Sequence, residues 1–148
     1  MAHGAIFIGT SGWSYDHWQG VFYPPALSHN GWLQYYAKHF SSVEINNSFY
    51  RLPDKKTLLQ WHDAVPADFI FTVKASRYIT HMKKLNDPEH SVSVFLERIC
   101  ILKEKLGPVL FQLPPHWHFN PERLAAFLDK LSSDFRYVFE FRDHSWHN

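Results

Sequence analysis

In several apolar runs of this chain, polar residues fall at alternate positions and near the same end of the run. Val43-Glu44-Ile45-Asn46 puts Glu44 and Asn46 on one face of a strand and Val43 and Ile45 on the other. Phe71-Thr72-Val73-Lys74 pairs Thr72 with Lys74 in the same way. Val138-Phe139-Glu140-Phe141-Arg142 sets Glu140 and Arg142 opposite Phe139 and Phe141. Side chains alternate strictly along a strand. An ionisable group in an apolar sheet is costly unless it is paired or reaches water. Its recurrence predicts one polar site at the C-terminal rim of a parallel sheet, where α/β barrels and open α/β sheets bind ligands.

Between these runs the period changes. Ala5 to Ile8 reads as a first strand, closed by the loop Gly9-Thr10-Ser11-Gly12. Trp32 to Phe40 carries Leu33, Tyr36, Ala37 and Phe40 at helical spacing. Ser42 to Asn46 is the second strand. Asp54 caps a helix with the stripe Leu58, Trp61 and Val65. Phe69 to Lys74 is the third strand. Val92, Phe95, Leu96, Ile99, Leu102 and Leu106 keep helical spacing until Gly107-Pro108 stops them. Val109 to Leu113 follows as a strand, closed by Pro114-Pro115. Asn120 and Pro121 open a helix with the stripe Leu124, Phe127, Leu128 and Leu131. Arg136 to Arg142 is a fifth strand. Strand-helix units repeat at the spacing of βαβ crossovers, which predicts an α/β fold with a parallel sheet. Periodicity leaves a doubly wound sheet and part of a barrel equally open.

Composition narrows the function classes. A chain of 148 residues is expected to form one domain. Fifteen Lys and Arg against 14 Asp and Glu leave the charge near neutral, which argues against nucleic acid and against a disordered charged arm. The single Cys100 excludes an internal disulfide and a cysteine zinc site, and it falls in a helical apolar stretch that reads as core. Met1-Ala2-His3-Gly4 has no signal-peptide pattern, and no apolar run reaches membrane length. A cytoplasmic protein is expected. Phe, Trp and Tyr make up 18% of the residues, and many fall in predicted loops. Rings such as Trp13 and Trp146 either pack the loops onto the core or wall a pocket for a sugar, base or other flat ligand.

A set of strings then reads as a family signature. They are Ile8-Gly9-Thr10-Ser11-Gly12-Trp13-Ser14-Tyr15, Val43-Glu44-Ile45-Asn46-Asn47-Ser48-Phe49-Tyr50-Arg51-Leu52-Pro53, Phe71-Thr72-Val73-Lys74-Ala75, Ile79-Thr80-His81, Phe111-Gln112-Leu113-Pro114-Pro115, and Phe139-Glu140-Phe141-Arg142 with Ser145-Trp146. In order and spacing they resemble the domain-of-unknown-function 72 family, also called YecE-like, from about Ile6 to Trp146. The resemblance implies a TIM-type β/α barrel and supplies no reaction. Family members continue beyond Ser145-Trp146 with further strands and helices. The chain is therefore expected to be one incomplete barrel domain over residues 1–148, truncated to about four βα units and a fifth strand. Its open sheet edges invite self-association.

The chemistry on the expected rim has two readings throughout. Glu44 and Lys74 form either a structural salt bridge, or a general base or metal ligand beside an electrostatic clamp. Glu140 and Arg142 form either an internal ion pair, or an acid/base group beside a carboxylate or phosphate binder. Glu44 with Glu140 also matches the paired acids of a glycoside hydrolase. Asn46, Asn47, Tyr50 and Gln112 either orient a polyol or amide-bearing ligand or, as Ser48 also can, satisfy turn backbone. His81 is an acid/base candidate. His116-Trp117-His118 lies in a loop, and no spacing demands a metal or names a cofactor. The Gly9–Gly12 loop either cradles phosphate or is a tight turn. The leading expectation is a hydrolase or isomerase acting on a small polar metabolite such as a sugar or phosphoester. Its ionisable centre would be Glu44, Lys74, Glu140 and Arg142, with His81, Asn46 and Gln112 assisting. The alternatives are a non-catalytic ligand- or protein-binding scaffold and an inactive truncated fragment.

Overall fold

The computed structural model describes residues 6–147. Four parallel strands lie side by side in chain order: β1 (Ser42–Ile45), β2 (Ile70–Lys74), β3 (Leu106–Gln112) and β4 (Tyr137–Glu140). Helix α1 (Trp32–Tyr36) precedes the sheet, and α2 (Lys55–Ala64), α3 (Pro88–Ile99) and α4 (Pro121–Leu128) form the successive crossovers. Parallel neighbours require such crossovers, because a tight hairpin reverses the chain.

The alternation read from the sequence sets the two faces. Val43, Ile45, Phe71, Val73, Val109 and Phe111 are buried in a core shared with Leu58 of α2, Phe95 and Ile99 of α3 and Phe127 of α4. Phe111 lies edge-on to Phe127 at 5.1 Å and stacked on Phe139 at 5.3 Å. The other face carries Glu44, Thr72, Lys74, Leu110, Gln112 and Glu140, all partly exposed. Loop aromatics extend the core: Tyr23 stacks on Trp32 at 4.6 Å, and its hydroxyl donates to the Trp13 carbonyl at 2.6 Å.

Helix ends follow their expected chemistry. Asp54 accepts from the Thr57 N–H at 2.7 Å, and Asn120 accepts from the Arg123 N–H at 2.9 Å. The last turn of α2 is closed from outside its own sequence. Lys105 is buried, and its ammonium donates to the His62 and Val65 carbonyls at 2.6 and 2.8 Å.

Several expectations are corrected. Ala5 lies outside the described residues, and residues 6–8 are exposed and form no strand. Pairing with β1 begins later: Glu44 N–H donates to the Thr10 carbonyl at 3.0 Å, and Gly12 N–H donates to the Glu44 carbonyl at 2.9 Å. The glycine before this contact is obligatory, since a Cβ on Gly9 would fall 2.0 Å from the Ser42 carbonyl oxygen. Gly107-Pro108 does not separate helix from strand but lies inside β3. Proline cannot donate to a ladder, and the β2–β3 register shifts there: Phe71 pairs with Leu106, whereas Val73 pairs with Val109. The expected helix ending at Leu106 stops at Ile99 and continues as a 3-10 stretch to Lys105. Cys100 is exposed, because it stands between the buried Ile99 and Leu102 and is turned away from them. Leu128 is likewise exposed at the end of α4.

Candidate functional site

The C-terminal ends of β3 and β4 bring together Gln112 and Glu140, with Arg142 just beyond, while Lys74 ends β2 opposite Leu110, one pleat short of Gln112. Gln112 pairs with Glu140 across the ladder, and its amide donates to both carboxylate oxygens, at 3.1 and 2.9 Å. Arg142 Nε lies 3.8 Å from the same carboxylate, with both side chains 43% exposed. The pair expected from the sequence is therefore formed, but at the surface, where it contributes little to stability.

His81 reaches this rim from a single π-helical turn, Tyr78–Met82, in which Lys83 N–H donates to the Tyr78 carbonyl at 2.9 Å. Such turns reposition one side chain within a helical segment. Thr80 Oγ1 lies 2.9 Å from His81 Nδ1. The imidazole stands edge-on to Phe49 at 5.0 Å, and Lys74 Nζ lies 4.7 Å from the centre of the same ring. Burial, then the positive charges of Lys74, Arg142 and Arg77, hold the His81 pKa below its ordinary value of 6.5. Ser48 fixes the 47–49 turn that carries Phe49, with its hydroxyl 2.8 Å from the Ile45 carbonyl and 2.6 Å from that of Lys74. This is the turn-satisfying role open to Ser48 in the sequence.

Glu44 sits apart from Lys74. It pairs in register with Thr72, one pleat short of Lys74, and accepts a hydrogen bond from Ser11. Among the described residues no ion pair joins Glu44 to Lys74. Glu140 is on β4, with two strands between it and Glu44.

Trp13, Asn46, Asn47 and Tyr50 gather in a second place, a cavity of about 800 Å³ above the end of β1. Trp13 and Trp61 meet there at 4.9 Å with their rings 88° apart. Trp146 joins neither group: it stacks on Phe141 at 4.9 Å and donates to the Trp117 carbonyl at 2.7 Å. Its role is to pin the loop after β4 onto the loop after β3. In the Gly9–Gly12 loop, the Thr10 and Gly12 N–H groups are bonded to Tyr36 and Glu44, which fits a tight turn better than a phosphate cradle. Among the described residues no group of three or more His, Cys, Asp or Glu can hold a metal ion. Desolvation, then the carboxylates of Asp134 and Glu97, push the Cys100 thiol above its ordinary pKa, so it is no activated nucleophile.

Arg77, Gln60 and Trp61 were not singled out for a site by sequence reasoning. Trp61 lies on the buried stripe of α2, where an aromatic is expected for packing alone. Gln60 and Arg77 carried no signal beyond being polar.

The model of the family described as "Protein of unknown function DUF72" matches residues 7–148. The chain belongs to the DUF72 family. Similar relatives are the UPF0759 protein YecE of Escherichia coli (strain K12), 34% identical over 93% of this chain and 48% of its own length, and the UPF0759 protein YunF of Bacillus subtilis (strain 168), 31% identical over 95% and 52%. Among solved structures, the DUF72 family protein of Thermotoga maritima MSB8 matches with a TM-score of 0.80 at 33% identity, over 96% of this chain and 57% of that one. The DUF72 family protein of Enterococcus faecalis V583 matches with a TM-score of 0.74 at 25% identity, over 99% and 55%. The chain thus spans about half the length of the curated relatives it matches. No helix among the described residues is long and apolar enough to cross a membrane.

Proposed function

We propose that the rim formed by Lys74, His81, Gln112, Glu140 and Arg142 is the anion-binding and acid–base centre of an enzyme acting on a small polar metabolite. The observation that carries this reading is that His81 and Lys74 meet the same Phe49 ring, at 5.0 and 4.7 Å, at the end of the sheet that carries the Gln112–Glu140–Arg142 group. Burial first, and then the charges of Lys74, Arg142 and Arg77, favour the neutral form of His81. One carboxylate, Glu140, lies against Arg142, and Gln112 holds it in place. A phosphoester or carboxylate on the substrate offsets the remaining positive field and takes the bidentate fork of Arg142. Neutral His81 has Nδ1 beside Thr80, and Nε2 has no hydrogen-bond partner among the described residues. That nitrogen accepts or returns a proton, and Glu140 is the complementary group. In a hydrolysis the pair would take a proton from an attacking water and return one to the leaving group, and in an isomerisation it would take a proton from one substrate carbon and return it to a neighbouring one.

The strand-helix alternation, the chain-order parallel sheet and the greater length of the relatives support reading this sheet as a segment of a TIM-type barrel. In that frame the rim lies at the end of the barrel where catalytic groups gather.

The test is titration of the protein with inorganic phosphate, followed by calorimetry and by the His81 ring signals. Saturable binding is expected, and the bound anion should raise the pH at which the His81 ring titrates, because it favours imidazolium. Arg142→Gln and Lys74→Met should each remove it without changing the unfolding midpoint. Absence of saturable binding, or binding indifferent to both substitutions, overturns the reading.

A further inference from the structure

The cavity above β1 differs from the rim in one respect that sets its ligand. No Asp, Glu, Lys or Arg lines it. Its one group that can take a charge near neutral pH is His29, which lies 3.6 Å from Asp16; beside two tryptophans and the phenols of Tyr15 and Tyr50, its walls carry a set of amides: Asn30 before α1, Asn46 and Asn47 after β1, and Gln60 on α2. None of these four side-chain amides is hydrogen-bonded to another described residue. Each offers a paired donor and acceptor in a fixed plane, the arrangement that matches two neighbouring hydroxyls.

The tryptophans decide between classes of ring. Trp13 is 8% exposed and held edge-to-face against Trp61, with the two planes 88° apart. Perpendicular rings do not form the parallel slot that sandwiches a nucleobase. Trp13 is the buried brace of the pair, and the partly exposed Trp61 is the ring with surface to offer a ligand. The negative face of an indole attracts polarised C–H groups, and a pyranose presents C–H groups on one face and hydroxyls around its edge. A volume of about 800 Å³ falls within the range of small-molecule sites and holds one or two such rings.

We infer that this cavity is a binding site for an uncharged sugar, with a pyranose face on Trp61, which Trp13 braces from the core, and its hydroxyls on Asn30, Asn46, Asn47 and Gln60. The site is independent of the chemistry proposed for the rim. It uses none of the rim's ionisable groups, so phosphate titration reads one place and sugar titration the other.

The experiment follows the indole N–H signals of Trp13 and Trp61 by NMR. The probes are glucose, galactose, mannose, maltose and cellobiose, with adenosine and uridine as flat-ring ligands. At least one sugar is expected to shift both indole signals saturably, with the nucleosides silent. Asn47→Ala and Gln60→Ala alter exposed side chains and should preserve the fold, which their unfolding midpoints verify. Each should weaken the sugar by about three- to tenfold, the loss expected for one neutral hydrogen bond. No shift with any sugar up to its solubility limit overturns the inference. So does nucleoside binding in place of sugar, or sugar affinity unchanged in both folded variants.

Discussion

On the side of the sheet that meets the helices, Ile45, Phe71, Val109 and Phe111 have no exposed surface, whereas on the opposite side Glu140 and Arg142 each leave 43% of the side chain exposed. The two sides share the same strands and the same ladder. They differ in what covers them. The helical side is closed by α2, α3 and α4, and its energy is that of packing. Among the described residues no α-helix covers the other side, and its polar groups stay partly exposed. Stability and function are therefore separated by the alternation of a strand, residue by residue. A change at one position should be felt as loss of fold, and at the next as loss of binding.

The sharpest way to break this comparison is at Phe111 and Gln112, neighbours in β3. Phe111 is fully buried between Phe127 and Phe139. Phe111→Ala should cost about 3–5 kcal/mol, through lost transfer energy and the cavity left behind. Gln112→Ala loses a half-exposed contact to Glu140 and should cost no more than about 1 kcal/mol. Urea unfolding of the two variants reads both values. Equal losses would mean that the uncovered face carries as much of the fold as the covered one.

A step down in size is the bulge that lets β3 join β2. A Cβ on Gly107 would lie 2.4 Å from Ile70 Cγ2 and 3.1 Å from the Phe71 carbonyl oxygen. Gly107→Ala should cost about 1–3 kcal/mol by overpacking. A neutral result would mean that the two strands part easily, and that the shift from Leu106 to Val109 is not a fixed feature of the register.

These same places show what was legible in the sequence. Alternation fixed which residues of β1, β2 and β4 face the helices, because burial of one side leaves a period that cannot slip. The caps Asp54 and Asn120 were legible because orphan N–H groups demand such residues. Gly107-Pro108 was misread, since the dipeptide that ends a helix is also the one a bulged strand tolerates. Cys100 was misread because an apolar stretch does not reveal which residue the change from α-helix to 3-10 turn rotates outward. The neighbourhood of Gln112, Glu140 and Arg142 followed from strand ends alone, whereas Glu44, expected in the same centre, stands apart on β1. The split of Asn46, Asn47 and Tyr50 away from that neighbourhood did not follow from them. That depends on Trp61, which arrives from α2, and on the turn at Ser48, neither of which leaves a mark in the periodicity of β1.

The cap of α4 offers a smaller test of the covered side. Asn120→Ala removes the acceptor for the Arg123 N–H and should cost about 1 kcal/mol. Asn120→Asp keeps an acceptor there and should recover most of the loss. If both substitutions were equally harmful, the cap would not be what positions α4 against Phe111 and Phe139.

The smallest expected effect is the dependence of stability on pH through His81, and it probes the open side directly. The folded pKa of His81 lies below 6.5, first because the ring is desolvated and then because of Lys74, Arg142 and Arg77. Within the window from that folded value up to 6.5, the unfolded chain binds more protons than the folded one. Stability from this group is therefore complete above about pH 6.5 and is lost as pH falls through the window. With 11 histidines in the chain, the quantity to measure is the difference in unfolding midpoint between wild type and His81→Gln on either side of pH 6.5. Wild type should lose ground to the variant as pH falls, and inorganic phosphate should reduce the loss by neutralising the field around the imidazole. A difference that stays flat with pH would mean that the cations of the uncovered face do not reach His81. The rim would then be a set of solvated charges, and the contrast between the two faces would be one of burial alone.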